Sequence, residues 1–173
     1  MSARLGGFVL GIVTTVAILF IGGYLFITGG GAPMETTAAP LPLEKTVAKL
    51  ALKASLNGAA DLKDTLPLND ENLLAGAKTY KENCAVCHGI PGLPATAIAK
   101  GMFPPPPQLF EHDDMVTDDP EGVTFWKVTH GIRLSGMPGF ASMLPDEQRW
   151  QVSMLLAHGD KLPPSVQSAL VSH

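Results

Sequence analysis

Cys84-Ala85-Val86-Cys87-His88 is the stretch on which the reading of this 173-residue chain turns. Two thiols separated by two residues can each add across one vinyl group of a haem, and the imidazole that follows can ligate the iron. C-x-x-C-H is the pattern of c-type haem attachment. No other cysteine exists in the chain, so the motif uses both and leaves none for a structural disulfide. A zinc site would need a second pair of ligands that no further Cys supplies. A thioredoxin-like pair would be expected near a βαβ pattern, which the sequence does not show.

Upstream of the motif, Asn69 to Cys84 reads as a helix. Asn69 or Asp70 can cap it, and Glu71 in the first turn suits the dipole. Leu73, Ala77, Tyr80 and Cys84 fall on one face, and Gly76 is small enough for another helix to cross closely. Downstream, Gly89 to Phe110 holds Pro91, Pro94 and the run Pro104-Pro105-Pro106-Pro107. Proline fixes φ and cannot donate, so this segment is expected to be a stiff loop forming one wall of a pocket, with Met102, Phe103 and Leu109 as lining candidates. Asp119-Pro120-Glu121 predicts a second helix, capped by Asp119 and running to His130 and Gly131. Leu144-Pro145-Asp146-Glu147 opens a last helix ending near His158-Gly159, with Trp150 expected against Gly76 and Tyr80.

An iron held by His88 on one side needs a ligand opposite. The candidates are Met102, Met115, Met137, Met143, His112, His130 and His158. Gly131-Ile132-Arg133-Leu134-Ser135-Gly136-Met137-Pro138-Gly139 has the context such a ligand needs. Gly136 lets the backbone come close and Pro138 restricts the loop, so a thioether there stays aimed. Met137 is the favoured ligand, and His130, at a helix end, is the runner-up.

These motifs, together with Trp150 on the terminal helix, resemble a small monohaem cytochrome c, of the type with an oxidase-subunit-like haem domain. The resemblance covers roughly Leu68 to Leu162. It implies an all-α cytochrome c fold in which the first and last helices cross around one covalent haem. It further implies thioethers at Cys84 and Cys87, with His88 and Met137 as axial ligands. The other ring proton of His88 is then expected on a backbone carbonyl, with Pro91 or Pro94 as candidates. Arg133 and Trp126 are expected as partners of the haem propionates, Arg133 against the alternative of a plain surface residue.

Phe8 to Ile27 is 20 residues without a charge, about 30 Å as a helix and the thickness of a hydrocarbon core. Arg4 precedes it and Lys45 is the next basic residue, so the positive-inside rule predicts a cytoplasmic N-terminus and everything downstream outside. A cleaved signal peptide would have a shorter apolar run and a small-residue cleavage site without Pro33 close behind, so a retained anchor is favoured. The expected organisation is a transmembrane anchor over 1–28, a linker with a short amphipathic helix over 29–67, a haem domain over 68–162 and a loosely ordered tail over 163–173. Within the linker, Leu43, Val47, Leu50, Ala51 and Ala54 share a helical face while Lys45, Lys49 and Lys53 form a second stripe.

From Leu66 onward, seven Lys/Arg stand against twelve Asp/Glu, six of the acids between Glu111 and Glu121. No basic footprint for nucleic acid is present. The acidic run reads as a solvated loop, with a docking patch for a basic redox partner as the alternative. A saturated His/Met iron disfavours small-molecule activation, and no separate acid, base or nucleophile calls for an enzyme. The expectation is one-electron transfer on the outer, periplasmic face of a bacterial inner membrane. The chain would act there as a tethered carrier between respiratory complexes, or alternatively as a fixed haem subunit of a larger membrane oxidoreductase.

Overall fold

The computed structural model describes residues 2–172, and its elements among those residues are all helical, with no strand. The chain divides into two compact units, one ending at Glu44 and the other beginning at Lys45. The first consists of α1 (Ser2–Thr28) and the turns that follow it. Within α1, Arg4–Thr28 is long and apolar enough to cross a membrane by length and composition.

The second unit holds α2 (Glu44–Ser55, whose first residue closes the first unit), a 3-10 turn at Ala59–Asp61, α3 (Asp70–Asn83) and α4 (Ala85–His88). It continues with α5 (Ala97–Gly101), α6 (Glu121–His130), α7 (Asp146–Ala157) and α8 (Pro164–Val171). The crossing of α3 and α7 is its centre. Gly76 permits that crossing, because a Cβ there would strike the carbonyl oxygen of Gln151 and stand 3.2 Å from Leu155 Cβ. The apolar face of α3 is the one the spacing predicts: Leu73, Ala77 and Tyr80 are buried with Val152, Leu155 and Leu156 of α7.

Trp150 lies elsewhere than expected. Its indole stacks on Phe125 of α6, with centroids 3.9 Å apart and planes 8° from parallel. Gln151, one position on, takes the place against α3, and its amide donates to Asn72 Oδ1 at 3.0 Å. Beside the stack, the buried Arg149 guanidinium lies over the Phe125 ring, donates to Thr129 Oγ1 and pairs with Asp146. Helical periodicity assigned Trp150 to a buried face; it could not say which neighbour that face meets.

The tail is corrected outright. Residues 164–171 form α8, packed on α3 with Val166 and Leu170 fully buried. Pro163-Pro164 reads as a breaker, yet proline at a first helical position is pre-organised for helix and gives up no needed N–H. Lys81 of α3 then donates to the carbonyls of Ala169 (2.8 Å) and Ser172 at the far end of α8. The segment expected as linker over 29–67 ends in ordered structure. The 3-10 turn packs on α6, where Gly122 makes room for the backbone of Ala59 and Leu62. Pro120, not Asp119, is the residue before α6, while Asp119 accepts from Lys127 Nζ at 3.1 Å.

Candidate functional site

Asn69 starts α3 by accepting from Asn72 N at 2.9 Å, and Cys84 closes it with its N–H on Tyr80 O. The chain bends there and resumes as the single turn α4, in which Cys87 and His88 both donate backbone N–H groups to Cys84 O. The two thiols and the imidazole therefore share one helical turn. Gly89, at φ 78°, ends it, and a Cβ at that position would collide with the Gln108 side chain.

Four successive carbonyls of this turn are taken by groups from elsewhere. Thr96 Oγ1 donates to Val86 O at 2.6 Å and Gln108 Nε2 to Cys87 O at 3.1 Å. Leu109 N donates to His88 O, and the Tyr80 hydroxyl is shared between His88 O and Gly89 O. Carbonyls left unpaired away from water are costly, so the bonds to Cys87, His88 and Gly89 hold the turn in one orientation, with Thr96 adding a tie at the surface. Thr96, Gln108 and the Tyr80 hydroxyl were not foreseen from sequence.

His88 Nδ1 lies 2.9 Å from the carbonyl oxygen of Pro107. A carbonyl can only accept, so Nδ1 carries the proton and Nε2 keeps its lone pair. The partner is the last residue of the proline run, neither Pro91 nor Pro94. Burial pushes the His88 pKa down, against an opposing pull from the Pro107 carbonyl, so the ring favours its neutral, ligating form. Burial, reinforced by Cys87, pushes the Cys84 thiol up to about 12. That opposes the free thiolate needed for disulfide exchange. No group of three or more His, Cys, Asp or Glu arranged for a metal occurs among the described residues.

Residues 131–139 form a loop pinched at its neck by two glycines. A Cβ on Gly131 (φ 67°) would come 2.6 Å from Gly139 N and Met137 O, and one on Gly139 would come 2.8 Å from His130 O. Inside the neck, Ile132 N donates to Met137 O at 3.1 Å, and Met137 N donates to Ser135 Oγ at 3.2 Å. Beyond it, Phe140 N donates to Val128 O, tying the exit to α6. Met137 is half-buried against the core. Gly136 (φ 80°) faces the methyl of Met102, 2.8 Å from where a Cβ would be, so the Met102 side chain reaches the backbone beside Met137.

Arg133 is exposed, with no hydrogen bond or ion pair to the described residues, and His130 is exposed at the end of α6. The half-buried Trp126 packs its ring 4.7 Å from that of His130. Two half-buried thiols, an imidazole with its outer nitrogen committed and a thioether on a restrained loop are a donor set that fits a haem c. Cys84, Cys87, His88 and Met137 are the residues that would hold it.

Residues 71–154, inside the expected 68–162, match the protein-family model described as Cytochrome C oxidase, cbb3-type, subunit III. No curated protein and no solved structure matches the chain. Residues 71–154 thus form a cytochrome c domain, preceded in the chain by an apolar helix that fits a membrane anchor.

Proposed function

We propose that this chain transfers single electrons as a tethered carrier on the outer face of a bacterial inner membrane. One haem c would be held covalently by Cys84 and Cys87 and ligated by His88 and Met137. When bound, the haem supplies a reversible one-electron couple. The observation that carries the reading is the His88 Nδ1 to Pro107 carbonyl hydrogen bond, which turns the outer ring nitrogen away and leaves Nε2 for the iron. The carbonyl clamps on residues 86–89 hold that imidazole still, and the pinched loop restrains Met137 in the same way. Fixed ligands keep reorganisation small on a change of oxidation state, and a filled sixth position disfavours binding of small molecules. Arg133 and Trp126 are the candidate partners of the propionates.

Met137→Ala tests the ligand set. The reduced parent protein should keep its spectrum under carbon monoxide, and the variant should change. A parent that readily binds carbon monoxide, or a variant with an unaltered spectrum, would refute the assignment.

The family description favours a second reading, a haem subunit fixed in a larger membrane oxidoreductase. Gentle solubilisation separates the two. A stable stoichiometric complex would replace the mobile carrier with the fixed subunit.

A further inference from the structure

α2 is a helix that its own surroundings do not explain. None of its residues is buried, and no other helix or turn of the second unit packs against it. Isolated helices of about 12 residues are marginal in water, and this one is 12 residues long. Val47 and Leu50 are 61% and 63% exposed, and Ala51 and Ala54 complete the same stripe. Lys45, Lys49 and Lys53 occupy the other side of the helix. Its single acid, Glu44, is engaged locally, accepting from Leu41 N at 2.7 Å.

We propose that α2 lies in the headgroup plane of an anionic lipid surface, with Val47, Leu50, Ala51 and Ala54 inserted and the three lysines paired to lipid phosphates. Three observations select lipid over a protein groove. The first is charge: α2 is basic, whereas the domain beyond it is acidic, and basic residues beside an anionic bilayer each raise partitioning about fivefold. The second is reach. Residues 29–43 alone separate α1 from α2, and a flexible span of that length covers about 20 Å. The third is the stripe itself, which is shallow and aliphatic, as an interfacial helix requires. It lacks the aromatic or Arg anchors that carry protein interfaces.

The proposal rests on the anchoring of α1 and adds to the proposed function a limit on movement. α2 is joined through Gly58 to the 3-10 turn seated on α6. A bound α2 would therefore hold the haem domain on a short stalk instead of the full linker.

Amide hydrogen exchange tests it, using the haem-loaded full chain in phosphatidylcholine vesicles with and without phosphatidylglycerol. Amides 45–55 should exchange at least about tenfold more slowly with the anionic lipid. Replacing all three lysines by Gln, or Leu50→Asp alone, should restore fast exchange while the haem spectrum stays unchanged. Fast exchange in both vesicles with α1 still protected would overturn the proposal and leave the anchoring intact. Fast exchange in α1 as well would overturn the anchoring and the proposal with it. Equal protection in the two vesicles would overturn the anionic requirement. Protection seen only with a second membrane protein bound would replace lipid by a protein partner.

Discussion

The Tyr80 hydroxyl donates to the carbonyl oxygen of Gly89 at 2.9 Å and stands 3.1 Å from that of His88. Its ring is fully buried on α3, edge-on to Phe110 with centroids 5.2 Å apart. Burial pushes the phenol pKa far up, so it remains a donor at any working pH. Tyr80→Phe leaves Gly89 O without this partner, while His88 O retains Leu109 N. Urea unfolding should report a loss of about 1–2 kcal/mol. An unchanged midpoint would show that the hydroxyl contributes nothing.

Gly76 should tolerate no side chain. Gly76→Ala sets a methyl against the Gln151 carbonyl, and α3 and α7 must part to admit it. The expected cost is about 1–3 kcal/mol. Gly101→Ala is the control, since a Cβ there meets nothing within 4 Å. Thermal melts of the two variants should diverge clearly, and equal melting temperatures would contradict the close crossing.

Leu170 of α8 is fully buried. Truncating it to Ala should cost about 2–5 kcal/mol, as for other buried leucines. A loose tail would lose almost nothing, so denaturant unfolding distinguishes the two outcomes.

Glu121 supplies a pH signature. Burial raises its pKa above the usual 4.5, and Asp64 adds to this, while His158 (Nδ1 3.8 Å away) and Lys63 pull the other way. The folded state therefore holds this proton more tightly than the unfolded chain. The associated stability is full below about the ordinary Glu range and is lost as pH rises through the folded pKa. Glu121→Gln should remove that decline. Unfolding midpoints taken from acid to neutral pH would expose a parent curve no steeper than the variant's, the result that excludes the effect.

The cap at Asn69, the face Leu73-Ala77-Tyr80 and the start of α7 were legible because each depends on neighbours a few residues away. The acceptor for His88 was not. Any backbone carbonyl is chemically equivalent, and Pro107 lies 19 positions off. Gln108 was hidden for the same reason: nothing local marks an amide that will reach Cys87 O across 21 positions. Trp150 shows the limit of periodicity, which gives a face but not the partner it meets. In α8 the local signal was double-edged, since Pro163-Pro164 both ends a chain segment and starts a helix.

The clamp between Lys81 and Ala169 joins positions 88 residues apart. The cysteine-bearing turn that follows α3 is thus synthesised long before the residues that close the core over that helix. Loop closure of this length is slow compared with local helix formation. The thiols at 84 and 87 accordingly pass through an interval in which they lie on an open, reachable chain. The covalent attachment proposed above would fall in this interval, before α8 closes the domain.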